Sequence, residues 1–148
     1  MFENLLRGAG YMRIMGLDVG DKTIGIALSD PLGWTAQPLK VLRRTSLQQD
    51  LAELARLCQE QEVEKIVVGL PRNMNGTYGP RAQLVMEFKE NLEKVLGLPV
   101  ETWDERLSTL AAERTLLAAD VSRARRKQVV DKLAAVVILQ GYLDRQRN

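Results

Sequence analysis

Acidic residues stand at three places in the sequence where an unpaired carboxylate would be costly. Asp18 interrupts the apolar run of residues 14–19, Asp104 and Glu105 directly follow a segment typical of a strand, and Asp131 lies in an apolar helical segment. Burying a charged carboxylate without a partner costs several kcal/mol, so each should meet a cation or a metal ion. Acids held in such places are candidates for catalysis.

Structural roles remain open for each of these acids. Asp18 can cap the turn that begins at Gly20, and Asp131 can pair with Lys127 one helical turn earlier. One of the two acids after the strand can join a salt-bridge network. The spacing of these residues does not by itself bring them together.

The composition restricts the possible chemistry. The 148 residues include no histidine and one cysteine, which excludes Ser-His and Cys-His catalysis, Cys/His zinc clusters and internal disulfides. Carboxylates suit hard divalent cations such as Mg²⁺ or Mn²⁺. Two such ions about 4 Å apart can activate water and stabilise the leaving oxygen of a phosphodiester.

Length and hydropathy predict one cytoplasmic domain without a membrane segment. The chain is 45% apolar and 27% charged, and its apolar runs are shorter than the ~20 residues that span a bilayer. Because Met12 could itself begin a chain, we interpret residues 1–11 as an N-terminal extension and 12–148 as the domain.

Positive charge is concentrated near the end of the chain. Residues 106–148 hold nine basic and four acidic side chains, and the densest basic cluster is Arg123, Arg125, Arg126 and Lys127. Such a cluster is either a solvated start of a helix or a contact for a phosphate backbone.

The order of predicted elements is that of an α/β protein. We expect a mixed five-stranded sheet, in which a three-stranded antiparallel meander is joined to parallel strands, with helices on both faces. The predicted strands are 13–19, 23–29, 39–43, 65–70 and 99–103, and the predicted helices begin after Ser46, run from Pro80 to Gly97, and span 108–119 and 126–144.

Helical periodicity predicts which residues of the first two helices face the core. Cys58 is expected to be a core residue, since no cationic cluster adjoins it to lower its pKa. The inward residues are predicted to be Leu47, Leu51, Leu54 and Cys58 in the first helix, and Leu84, Val85, Phe88, Leu92 and Val95 in the second.

A glycine-rich loop, residues 69–79, follows the fourth predicted strand. Its Arg72, Asn73 and Asn75 offer donors to phosphates or base edges, although an ordinary turn-rich connection would have a similar composition. Trp34 and Trp103 could stack on unpaired bases or pack at the core or rim.

Four motifs in order resemble one bacterial family. They are Leu-Asp-Val-Gly-Asp-Lys-Thr-Ile-Gly-Ile-Ala-Leu-Ser-Asp ending at Asp30, Val-Gly-Leu-Pro-Arg-Asn-Met-Asn-Gly-Thr ending at Thr77, Trp-Asp-Glu-Arg-Leu-Ser-Thr ending at Thr109, and Val-Asp-Lys-Leu-Ala-Ala ending at Ala135. Over residues 12–148 the chain resembles the YqgF family, also called RuvX, of the ribonuclease H-like superfamily.

The resemblance implies a nuclease with a ribonuclease H-like fold. It implies that Asp18, Glu105 and Asp131 form a catalytic triad binding Mg²⁺ or Mn²⁺. The implied activity is maturation of the 5′ end of precursor 16S rRNA or resolution of Holliday junctions, by a monomer or a homodimer. We expect substrate contacts from Lys22, Thr23, Arg72, Asn73, Arg106, Ser108, Thr109, Arg123, Arg125, Arg126 and Lys127.

Two other functions compete with the nuclease. Residues 18–25 also resemble the first phosphate loop of the actin and sugar-kinase superfamily, although those proteins need two lobes and this chain has room for one. A catalytically silent nucleic-acid-binding factor that assists ribosome assembly is the third possibility.

Overall fold

The computed structural model describes residues 13–73, 75–107 and 123–147, and it describes side chains in the last range from residue 133 onward. The elements are β1 (Arg13–Val19), β2 (Thr23–Ser29), β3 (Ala36–Arg43), α1 (Leu47–Glu60), β4 (Val63–Leu70), α2 (Pro80–Leu96), β5 (Val100–Asp104), a 3-10 turn (Glu105–Leu107) and α3 (Arg123–Arg147). The helix predicted over 108–119 lies outside the described residues.

The five strands form one mixed sheet in the order β3-β2-β1-β4-β5. The first three strands pair antiparallel, and β1, β4 and β5 run parallel. This confirms the predicted meander joined to parallel strands. Because β1, β4 and β5 share a direction, their carboxyl ends meet at one edge of the sheet, which we call the carboxyl edge.

The bounds of β1 and β2 agree with prediction, whereas β3 begins at Ala36 rather than Leu39. Pro38 lies inside β3, opposite Ala27 and beside an irregularity in the register. A proline lacks the amide donor, but β3 is the edge strand of the sheet, where an unpaired position facing outward costs little.

Alternating strand residues build two hydrophobic cores. On one face, Met15, Leu17 and Val19 of β1 pack with residues of α1 and α2. On the other face, Ile14 packs with Ala134, Ala135 and other residues of α3. Helices therefore cover both faces, as predicted, and the face of each strand residue follows from its parity.

Helix α1 begins where its capping residue predicts. Ser46 adopts an extended backbone and its Oγ accepts a hydrogen bond from the amide of Gln49 at 3.1 Å. The predicted inward position of Leu47 is wrong, since this side chain is 44% exposed. Leu47 lies on the apolar stripe, but at the first turn, where it lines an open cleft with Leu84 and Phe88.

Helix α2 starts after Gly79 with Pro80 in its first turn, and it ends at Gly97 with a left-handed φ of 67°. The predicted inward positions of Leu84 and Val95 are also wrong, since both side chains are exposed. At about 100° per residue they point roughly 80 to 100° away from Val85, which is at the centre of the buried stripe.

Cys58 is buried in the core, as predicted. Burial raises the pKa of its thiol to about 11. The Cys58 Sγ donates to Met15 Sδ at 3.9 Å, so the thiol packs as a small core residue.

Within the described ranges, no helix combines the length and the apolar composition that crossing a bilayer requires.

Candidate active site

Asp18 lies near the carboxyl end of β1, opposite Gly25 of β2. It has the same parity as Ile14 and Gly16, which face α3. Asp18 therefore belongs to the α3 face of the sheet at the carboxyl edge. If Asp18 only capped the turn at Gly20, its side chain would not need to lie on the α3 face.

Glu105 follows the last residue of β5 and reaches the same face. A methyl group added at Gly69 of β4 would lie 3.0 Å from Glu105 Oε1 and would collide with Ile138 of α3. The glycine leaves room beside the strand for the carboxylate and the helix together. Asp18 and Glu105 come from strands on either side of β4, and both interact with neighbouring residues.

Helix α3 crosses this face with its first turns toward the carboxyl edge. Ile138 lies over Gly69, and Tyr142 contacts Lys65 near the start of β4, so the helix runs opposite to the strand. A methyl group at Gly16 would lie 2.7 Å from Leu139 Cβ and 3.2 Å from the Ala135 carbonyl oxygen. Gly16 thus permits the helix backbone to approach the sheet closely.

This geometry brings helix position 131 toward Asp18. From Ala135 back to position 131 the helix rises about 6 Å. From Gly16 to Asp18 the strand advances about 6.6 Å in the same direction. The backbone therefore carries three sequence-predicted acids to one edge and one face, although the side chain of Asp131 lies outside the described residues.

The donor chemistry at this edge fits a hard divalent cation. Asp18 and Glu105 supply carboxylate oxygens, the ligands that Mg²⁺ and Mn²⁺ prefer. No group of three or more His, Cys, Asp or Glu residues suited to a metal occurs among the described side chains, a set that excludes Asp131. The third carboxylate expected there is on α3.

Asp104 is held in a network of ion pairs. Its Oδ1 accepts a hydrogen bond from the Arg106 amide at 2.9 Å, and its Oδ2 accepts from Arg106 Nη2 at 2.8 Å and from Arg72 Nη1 at 3.3 Å. The hydrogen bond from the Arg106 side chain, above all, lowers the pKa of Asp104, and the same bond raises the pKa of Arg106. Asp104 therefore lies in a salt-bridge network.

The loop after β4 is tied together by its own polar groups. Arg72 Nη2 donates to the Gly76 carbonyl oxygen, and the Arg72 guanidinium lies 4.5 Å from the centroid of the Tyr78 ring. Asn73 Nδ2 donates to Thr77 Oγ1 at 2.9 Å. Gly76 has a φ of 86°, which glycine adopts without strain. Arg72 and Asn73 therefore shape the loop, and the guanidiniums of Arg72 and Arg106 both lie at the carboxyl edge.

The turn between β1 and β2 lies at the same edge. The Gly20 amide donates to the Thr23 carbonyl oxygen at 2.8 Å, and Lys22 is exposed. Lys22 and Thr23 line a shallow groove that also includes Arg43 and Arg44. These two predicted substrate residues are thus close in space to the strand end that carries Asp18.

The other predicted substrate contacts fall partly or wholly outside the described residues. Ser108 and Thr109 lie outside the described residues. Residues 123–127, the basic cluster, form the first turns of α3, toward the carboxyl edge. Their side chains are not among those that the structure describes.

The two tryptophans have different environments. Trp103 is buried and makes an edge-to-face contact with Tyr142, with the ring centroids 6.4 Å apart. Trp34 is 57% exposed but follows β2, at the edge opposite the acids, where Arg147 lies 5.0 Å from its ring centroid. Stacking of Trp34 on a base would therefore occur away from the acids.

Tyr78 is a candidate contact that sequence reasoning missed. It is 53% exposed and lies beside Arg72 near the carboxyl edge. The available signal was an aromatic residue between Gly76 and Gly79, in a loop already expected to contact substrate.

The mixed five-stranded sheet with helices on both faces is a ribonuclease H-like fold. A structure of RuvC from Thermus thermophilus in complex with a Holliday junction substrate has a TM-score of 0.59 to this chain at 13% identity, covering 93% of this chain and 98% of RuvC. A second Thermus thermophilus RuvC structure has a TM-score of 0.56 at 15% identity, covering 92% and 97%. These likenesses show the fold.

Sequence similarity then gives the family. Residues 12–145 match the RuvX family, described as Holliday junction resolvase, and the chain belongs to it. A relative from Symbiobacterium thermophilum is 68% identical over 90% of this chain and 92% of its own length, and one from Desulforamulus reducens is 62% identical over 90% and 97%. Both relatives are named pre-16S rRNA nuclease.

Proposed function

We propose that this chain is a divalent-metal-dependent endonuclease that cleaves phosphodiester bonds in structured RNA, and that Asp18, Glu105 and Asp131 are its catalytic residues. The observation that carries the proposal is the convergence of Asp18, Glu105 and helix position 131 on the α3 face of the carboxyl edge. Nucleases with a RuvC-like fold generally use divalent metal ions, and carboxylate oxygens suit Mg²⁺ or Mn²⁺.

Two groups of residues have different proposed roles: the acids would bind the metal ions, and the basic side chains would bind the substrate. Bound divalent ions would activate water and stabilise the leaving oxygen, replacing the histidine that the chain lacks. Asp18 on β1 and Glu105 after β5 would provide oxygen ligands from two strand ends, and Asp131 would provide one from α3. Lys22, Arg72 and Arg106 at the same edge would attract the phosphate backbone.

Precursor 16S rRNA is the substrate we propose, with cleavage at its 5′ end. Two relatives that are 62% and 68% identical are named as nucleases of pre-16S rRNA, and both match nearly their whole length. The 5′ end is the cleavage position that the family resemblance implies. Branched DNA is the second candidate, because the family description names Holliday junctions. Incubating the protein with both substrates, with Mg²⁺ or Mn²⁺, and mapping the cut positions separates the two.

Amide variants of the three acids test the catalytic assignment. Asp18→Asn, Glu105→Gln and Asp131→Asn should each retain the fold and lose at least about 100-fold in cleavage rate, because even residues behind metal ligands cost 10- to 100-fold when changed. Asp144→Asn is the matched control, an exposed acid near the other end of α3. Undiminished cleavage by all three variants would falsify the assignment.

The competing functions have distinct outcomes in the same assays. A silent assembly factor would bind RNA without any metal-dependent product. A phosphate-binding ATPase-type module would bind ATP tightly in a calorimetric titration and would cleave neither substrate.

A further inference from the structure

A groove of about 340 Å³ lies along β5, the last strand in the sheet order among the described residues. Its volume is in the range of about 300 to 1,000 Å³ that is usual for small-ligand sites. The side chains that decide its chemistry are Arg72, Tyr78, Trp103, Leu107, Tyr142 and Arg145. The groove begins next to Glu105, since Asp104 and Leu107 also line it.

Two buried donors at this groove lack a hydrogen-bond partner. Within the described part of the chain, Trp103 Nε1 and Arg72 Nε are the buried side-chain nitrogens in that state, and both residues line the groove. The Trp103 side chain is itself 92% buried, because its exposed fraction is 8%. An unpaired buried donor costs about 1 to 3 kcal/mol. Trp103 Nε1 lies beside Gly141 of α3 and both nitrogens are enclosed by protein, so the exposed groups on the groove walls determine which ligand the groove accepts.

The walls favour a ligand with a flat ring and negative charge. Tyr78 and Leu107 are 53% and 56% exposed, and they offer apolar surface at the mouth. The guanidiniums of Arg72 and Arg145 supply positive charge, although Arg72 is shared with Asp104 at 3.3 Å. An unpaired nucleotide combines a base that stacks on an aromatic ring with a phosphate that attracts guanidinium.

We propose that the groove along β5 binds an unpaired nucleotide in the single-stranded flank of the substrate, next to the bond that is cut. This rests on the nuclease function proposed above. Trp103 precedes Glu105 by two residues, and Glu105 begins the 3-10 turn that directly follows β5. A nucleotide in the groove would therefore adjoin the cleavage position and would fix which backbone linkage reaches the acids.

Trp103 fluorescence tests occupancy directly. In a Trp34→Phe variant Trp103 is the sole tryptophan, so its emission reports on the groove. Titration with hexauridine RNA, without divalent metal, should change that emission in a saturable way. Tyr78→Ala in this background should weaken binding at least about fivefold, and Tyr78→Phe, which retains the ring, should bind normally. The proposal is wrong if the emission stays constant while fluorescence anisotropy shows labelled hexauridine bound, or if no hexauridine binds.

Variants of Arg145 and Arg147 test whether positive charge in the groove contributes to RNA binding. Arg145 lines the groove, whereas Arg147 contacts Trp34 and Asp144. Arg145→Ala should weaken binding of a duplex RNA with a single-stranded extension and spare the blunt duplex, and Arg147→Ala should change neither. Equal effects of the two variants contradict the proposal. These assays measure binding without cleavage, so failure of the groove proposal can be distinguished from failure of the proposed nuclease function.

Discussion

Glu105 lies against Gly69, so that a methyl group added to the glycine would be 3.0 Å from the Glu105 carboxylate. The same methyl group would collide with Ile138, which comes from α3. One missing side chain on β4 therefore permits both the packing of the helix and the placement of a proposed metal ligand. A substitution at this position should disturb stability and catalysis together.

We expect Gly69→Ala to lower the free energy of unfolding by about 1 to 3 kcal/mol, the usual cost of overpacking a core. Chemical denaturation measures this change, and cleavage should fall because Glu105 is displaced. The double variant Gly69→Ala, Ile138→Val removes the Cδ1 atom of Ile138 and should recover part of the stability without recovering cleavage. Full recovery of both would show that Glu105 does not need the glycine.

The ion pairs of Asp104 predict a stability that depends on pH. Its folded-state pKa lies below the ordinary 3.8, chiefly through Arg106, so the stabilisation is fully present above 3.8. It is lost as the pH falls through the lowered, folded-state pKa. In thermal unfolding, the Tm of the wild type should therefore be higher than that of Asp104→Asn at neutral pH, and this difference in Tm should shrink below about pH 4. A difference independent of pH would exclude this source.

The basic cluster at the start of α3 predicts salt-dependent binding. Replacing Arg125 and Arg126 by Ala should weaken RNA binding and should flatten the plot of log affinity against log salt by about 0.7 to 0.9 per lost phosphate contact. The control is Arg56→Ala with Lys94→Ala, the same charge change on α1 and α2, which cover the opposite face. Equal slopes for both double variants would remove Arg125 and Arg126 from the contact surface.

Asp50 predicts a large effect on stability at a distance from the acids. It is 2% exposed, pairs with Arg44 Nε at 3.2 Å, and accepts from the Thr45 amide at 3.1 Å. Asp50→Asn should lower the free energy of unfolding by about 2 to 4 kcal/mol, because it leaves a poorly compensated guanidinium beside the core. Urea denaturation measures this cost, and Glu53→Gln, a half-buried acid on the same helix that pairs with the exposed Lys40, should cost much less.

Sequence periodicity predicted the positions of the helices and strands well, but it predicted poorly which residues at the margins of the helices' apolar faces are buried. The bounds of β1 and β2, the Ser46 cap and the Gly97 end of α2 follow from local signals that act within a few residues. Leu47 and Leu84 instead depend on how far the neighbouring elements extend over the helix, which no local pattern encodes.

The same limit applies to the acids. Sequence alone left open whether Asp104 or Glu105 joins a salt-bridge network, since the two are adjacent and chemically alike. The structure shows that Asp104 pairs with Arg72 and that Glu105 lies against Gly69, and both contacts join residues distant in sequence. The tyrosine at position 78 became a candidate contact only when β5 and the loop were seen side by side.

Local residue chemistry by itself narrowed the possible catalysis, because a chain with no histidine cannot use Ser-His or Cys-His mechanisms and its carboxylates suit oxygen-bound divalent ions. The nuclease reaction was predicted from the resemblance of four sequence motifs to one family. The sequence also determined the mixed sheet, since periods of two and 3.6 follow from backbone geometry. Only the tertiary structure decided that Asp18, Glu105 and helix position 131 share one face. That convergence depends on strand order and on two glycines that allow α3 to approach, which are interactions between residues far apart in the chain.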